Sequence, residues 1–114
     1  MASARTMIER RRSSRVLIRI PVQLFTNDIH GDPVDALAEA IAVSRNGALI
    51  RGTFEPVLGS RIEVLNGLSQ AIQEFRVIRV TRSGAPGIFE LGLEMLYPTR
   101  SFWGVQFPDE PYSD

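Results

Sequence analysis

The stretch Val16-Leu17-Ile18-Arg19-Ile20-Pro21-Val22-Gln23-Leu24-Phe25 decides the fold. Val16, Ile18, Ile20, Val22 and Leu24 share one parity, and Leu17, Arg19, Pro21, Gln23 and Phe25 the other. A period of two sends alternate side chains to opposite faces, as in a half-buried strand. Pro21 has no N–H to give to a ladder, which places this strand at a sheet edge or puts a bulge at that point.

Further strands follow toward the C-terminus. Thr26–Pro33 holds Asn27, Asp28, Gly31, Asp32 and Pro33, a turn cluster. Val34–Val43, with its alanines and glutamate, fits a short helix or a strand ending near Ser44; we prefer the strand. Ser44-Arg45-Asn46-Gly47 suits a type I turn, with Ser first and Gly fourth. Ala48–Phe54 resumes as a strand, and Pro56 and Gly59 break it. Arg61–Leu65 is a short strand, followed by Asn66-Gly67, a hairpin signal. Ile72–Arg82 reads as a long strand and Ser83–Gly87 as a turn. Ile88–Leu96 alternates, with Phe89, Leu91, Leu93 and Met95 inward and Glu90 and Glu94 outward. Six short strands between turn signals imply an all-β antiparallel sheet closed into a small barrel or sandwich. Phe102, Trp103, Val105 and Phe107 are too apolar for a free tail; they are expected to cap one end of it, the alternative being that they meet a partner.

Upstream of Val16 the pattern is lost. Residues 1–14 are polar and Arg-rich and read as a flexible arm. The expected organisation is therefore arm 1–14, barrel 15–107 and acidic tail 108–114. A length of 114 residues fits one domain with one core. A hydrophobic content of 44% with 23% charged residues is that of a soluble globular protein.

The 13 basic residues balance 13 acidic ones, and all the basic ones are arginine. The balance hides an asymmetry. Arg5, Arg10, Arg11, Arg12, Arg15 and Arg19 face one acid, Glu9, in the first 19 residues. A basic arm thus precedes a mildly acidic body, which suggests an anion-binding arm or a solvated tail. With no cysteine and one histidine, disulfides, thiolate chemistry and Cys- or multi-His metal sites are excluded within a single chain. There is no Gly-rich phosphate loop, nucleophile elbow or metal-ligand spacing, so no enzyme and no cofactor are expected. His30, in a turn beside Asp28 and Asp32, reads as simply exposed. No apolar stretch follows the basic start, and apolar runs such as Ala40–Val43 are far shorter than the roughly 20 residues of a spanning helix. We expect a cytoplasmic protein that does not enter the membrane.

Two patterns stand together. Arg11-Arg12-Ser13-Ser14-Arg15 leads directly into the strand at Val16, and Ser44-Arg45-Asn46-Gly47-Ala48-Leu49-Ile50 follows later. An Arg-x-x-x-Arg arm before the first strand, then a Ser-x-x-Gly turn, resembles the PilZ domain. Glu90-Leu91-Gly92-Leu93-Glu94-Met95 resembles that family's Gly-containing last strand. The likeness runs from about Arg10 to Leu96.

The resemblance implies a six-stranded antiparallel β-barrel that binds the bacterial second messenger cyclic di-GMP and signals to a protein partner. Carried onto this chain, the arm residues are Arg11 and Arg15 and the turn residues Ser44 and Gly47. Arg10 and Arg12 would be auxiliaries on the arm, and Asn46 a neighbour in the turn. The chemistry suits the ligand, a dianion with two flat guanines. Guanidinium is planar and permanently charged, pairs bidentately with phosphate or guanine O6/N7, and stacks on bases.

One position departs from the family pattern. The fuller turn motif begins with Asp or Asn two residues before the serine, where this chain has Ala42. A methyl group accepts no hydrogen bond from a guanine edge. Two readings follow: a cyclic di-GMP receptor, or a PilZ-like interaction module that does not bind the nucleotide. Nucleic-acid binding through the arm is disfavoured, because the body is acidic and offers no aromatic stacking platform.

Overall fold

In the computed structural model, residues 15–99, 101–105 and 107 are described. Six strands follow one another: β1 (Val16–Asn27), β2 (Pro33–Val43), β3 (Gly47–Gly52), β4 (Arg61–Asn66), β5 (Ile72–Arg82) and β6 (Phe89–Met95). All pairings are antiparallel. They close a barrel in the order β1-β2-β3-β6-β5-β4. The stretch 34–43, ambiguous in sequence, is strand throughout, because its small alanines lie between β1 and β3.

The period-two pattern sets what is buried. Ile20, Val22 and Leu24 of β1 meet Ile50, Ile62, Val64, Phe75, Val77, Leu91 and Leu93 in one core. Val16 and Ile18 pack only at its margin. A bulge between Leu17 and Ile20 carries Ile18 and Arg19. Two further bulges lie at Ile41 of β2 and Ile78 of β5. A bulge adds one residue to one strand and resets which side chains face inward.

Pro21 occupies neither a free edge nor the bulge itself. Its carbonyl accepts the Gly67 N–H at 2.7 Å, just past the end of the β1–β4 ladder. A residue's N–H and C=O point to the same side of a strand. The missing donor of Pro21 therefore falls on the β4 side, where no ladder partner needs it, and the β2 ladder continues past Pro21↔Glu39. Position 67 must stay bare, since a methyl there would stand 2.7 Å from the Pro21 carbonyl oxygen.

Asn66-Gly67 does not make a two-residue hairpin. Asn66 ends β4 as a buried residue, and the connection runs through 67–71, with Gln70 at φ +68°. The Asn66 side chain is the reason. Its Oδ1 accepts the Leu68 N–H at 2.8 Å, and its Nδ2 donates to the Phe102 carbonyl at 2.9 Å.

That bond ties down the segment after β6. Phe102, Trp103 and Phe107 are all buried. Phe102 and Trp103 meet edge-on with centroids 4.7 Å apart, and Phe75 of β5 lies 5.7 Å and 6.1 Å from them. The aromatics cap the barrel as expected. Residues 1–14, with Arg10, Arg11 and Arg12, and the tail 108–114 lie outside the described residues.

Candidate functional site

Strand register lays two neighbouring rows across the outside of the barrel. Val16 pairs with Val43, so Arg15 stands one residue beyond it, level with Ser44. Ser44 is joined to Gly47 across the β2–β3 turn, its N–H donating to the Gly47 carbonyl at 3.0 Å. Gly47 pairs with Glu94 of β6. The first row is therefore Arg15, Ser44, Gly47, Glu94. The adjacent row is Leu17, Ala42, Leu49, Gly92, Arg79. A groove of about 210 Å³ runs over the first row and over Ala42, Leu49, Gly92 and Arg79 of the second. Arg15, Ser44, Asn46 and Gly47, all named from sequence, line it, together with Ala42, Ile78, Arg79, Gly92 and Glu94.

The turn keeps the form its sequence suggests. Arg45 and Asn46 have negative φ, so the loop is not one of the primed hairpin turns. The Asn46 carbonyl accepts the Met95 N–H at 2.8 Å, which holds the turn against β6. Gly47 is needed for close approach rather than for its φ. A methyl at 47 would stand 2.5 Å from the Leu93 carbonyl oxygen and 3.6 Å from Ser44 Oγ. The bare position keeps the groove open between Ser44 and Glu94.

Sequence reasoning missed Arg79. Strict alternation from Phe75 and Val77 would turn position 79 inward. The bulge at Ile78 adds a residue, so Ile78 and Arg79 both lie at the surface and Val80 resumes the inward phase. Arg79 then lies across Gly92. A methyl there would meet Arg79 Cβ at 3.2 Å and Nε at 3.5 Å. The Gly-containing last strand, noted in the sequence for its family likeness, has here a concrete steric role.

The charges sort the arginines. Arg19 pairs with Glu39 and Arg51 with Glu90, each at 3.2 Å, Arg61 with Glu74 at 3.7 Å, and Arg82 with Glu55 at 4.0 Å. Arg76 donates to the Gly59 carbonyl at 2.9 Å. Among the described residues Arg15 and Arg79 have no hydrogen-bond or ion-pair partner, and both line the groove. Exposed ion pairs contribute little to stability, so the pairing matters here for the positive charge it leaves unbalanced. Ala42 is buried in the groove wall, so the position that would carry a carboxylate in the family pattern offers no polar atom.

His30 is exposed on the β1–β2 turn, away from the groove. Among the described residues no group of three His, Asp or Glu side chains could hold a metal, and no helix is long and apolar enough to cross a membrane.

A solved structure of the inhibitor of motility from Bacillus subtilis, MotI/DgrA, has a similar fold. The TM-score is 0.61 at 13% identity, over 78% of this chain and 44% of that one. The likeness is one of fold, and this chain spans less than half the length of that protein. No protein-family model and no curated protein sequence matches the chain.

Proposed function

We propose that the chain is a PilZ-type receptor domain for cyclic di-GMP, which orders its Arg-rich arm over the groove and presents the result to a protein partner. One observation carries this reading. Arg15 and Arg79, the two described arginines left without a protein partner, line the same groove as Ser44 and Gly47. A groove with uncompensated guanidinium groups suits a dianion with planar bases. The order of the arm and turn motifs supports it, as does the six-stranded barrel. The fold shared with a motility inhibitor fits a regulatory role better than a catalytic one.

In this reading Arg11 and Arg15 grip the nucleotide from the arm, with Arg10 and Arg12 beside them, while Arg79 meets it from the barrel. Ser44 offers a hydroxyl, and Gly47 admits the ligand close to the backbone. The arm pays an ordering entropy on binding, which makes it a segment that ligand can switch. The burial of Trp103 takes away the exposed aromatic surface that a ligand-independent interaction module would use there. Calorimetry of the purified protein with cyclic di-GMP tests the proposal, with Arg15→Ala beside it. Heat saturating in the micromolar range, strongly reduced by Arg15→Ala, supports it. No heat at high micromolar ligand, with a competent PilZ control in parallel, overturns it.

A further inference from the structure

Glu94 stands in the groove as a carboxylate with no partner among the described residues. Its direct cross-strand neighbour is Arg76, yet Arg76 is turned away and donates to the Gly59 carbonyl. Arg79, paired with Gly92, is the diagonal neighbour of Glu94 across β5 and β6. Diagonal Cα positions on an antiparallel pair lie about 7–8 Å apart, within reach of long side chains. No ion pair closes between them. Glu39 of β2, Glu74 of β5 and Glu90, near the start of β6 itself, are each paired with an arginine.

An open carboxylate in an anion-binding groove repels a phosphate. It belongs there only if the ligand also presents hydrogen-bond donors. Guanine does so: its N1–H and its 2-amino group point the same way from one edge. A carboxylate accepts both at once through its two oxygens. Adenine has an acceptor at N1 and no 2-amino group, so a carboxylate is mismatched to it.

We infer that Glu94 is the base-reading acceptor of this groove, taking from β6 the role that Ala42 cannot fill from β2. The inference rests on the proposed cyclic di-GMP reading and assigns its specificity. Gly47 makes it possible sterically, since the bare residue lies between Ser44 and Glu94 in the same row.

The test is a two-by-two titration. Wild type and Glu94→Gln are each titrated with cyclic di-GMP and with its inosine analogue, which lacks the 2-amino groups. Gln has the same size, but presents a donor where guanine also presents donors. Wild type is expected to bind the analogue roughly ten- to a hundredfold more weakly than cyclic di-GMP. Glu94→Gln is expected to lose a similar factor for cyclic di-GMP and to discriminate little between the two. Cyclic di-GMP binding that is equal in wild type and Glu94→Gln, with the analogue penalty intact in both, overturns the role of Glu94 and leaves the receptor reading standing. Failure of wild type to bind cyclic di-GMP overturns both.

Discussion

Asn66 and Phe102 are joined by a buried hydrogen bond, with Asn66 Nδ2 donating to the Phe102 carbonyl at 2.9 Å. The same side chain accepts amides of the β4–β5 loop through Oδ1. One residue thus fixes a loop and the aromatic cap together, and Asn66 is the one buried polar residue among those described.

Asn66→Ala leaves the Phe102 carbonyl and two loop amides without their partner. The expected loss is about 1–3 kcal/mol of unfolding free energy. Urea denaturation followed by the fluorescence of Trp103, the single tryptophan, measures it. A midpoint equal to wild type would show that the cap holds without this bond.

Gly47→Ala forces a methyl to within 2.5 Å of the Leu93 carbonyl oxygen, so the β3–β6 ladder has to shift. Overpacking of this kind costs about 1–3 kcal/mol. Thermal unfolding should show a lowered midpoint, and in titrations cyclic di-GMP binding should fall with it. Gly84, in the β5–β6 turn, has open space around it, and Gly84→Ala is the control that should leave both unchanged.

Arg79→Ala removes a cation that pairs with no acid among the described residues. Stability should change by less than about 0.5 kcal/mol, as for most surface substitutions. Cyclic di-GMP affinity should fall roughly tenfold, about the worth of one charge-assisted hydrogen bond. Arg82→Ala, which removes a guanidinium already shared with Glu55, should leave affinity unchanged. Calorimetry that finds the two variants alike would contradict the assignment of Arg79 to the groove.

Asp28 organises the β1–β2 turn by accepting the Asp32 and His30 N–H groups at 3.0 and 2.9 Å. The Asp32 bond is the main reason its carboxyl titrates below its ordinary value of 3.8. A carboxyl depressed by folding stabilises the turn at pH above the ordinary value. That contribution is lost as pH falls through the depressed one. Carbonyl NMR should find Asp28 titrating below 3.8, with the amides of His30 and Asp32 moving in step. Titration at or above 3.8 would refute the turn's role.

The fold was legible because β1, β4 and β6 each alternate over six residues or more, and because the Ser44–Gly47 turn was recognisable on its own. The site was legible only where a motif spans contiguous residues, as at Arg15 and Ser44–Gly47. Arg79 and Glu94 were not. Glu94 looks like any outward strand residue, and its meaning depends on the direction Arg76 takes. Arg79 is outward only because of an extra residue at 78, and nothing in Val77-Ile78-Arg79-Val80 marks which residue is extra. Asn66-Gly67 did mark the β4–β5 hairpin, but not the length of its loop, because the hydrogen bonds of the buried Asn66 side chain to Phe102 and Leu68 set that conformation.

The barrel is not closed equally around its girth. Over Val22–Phe25, β1 is held by β2 on one side and β4 on the other, but over Val16–Pro21 β2 alone forms its ladder. That half is the one that receives the arm and carries Arg15 to the groove. A strand held along one edge opens at a lower free energy than one held along both. The seam gives the molecule a weak flank at the point where the arm is attached, with Pro21 marking where it ends. Tension on the chain before Val16 would therefore peel β1 from its first residue and stop near Val22, withdrawing Ile20 from the core but leaving Val22, Leu24 and the aromatic cap in place.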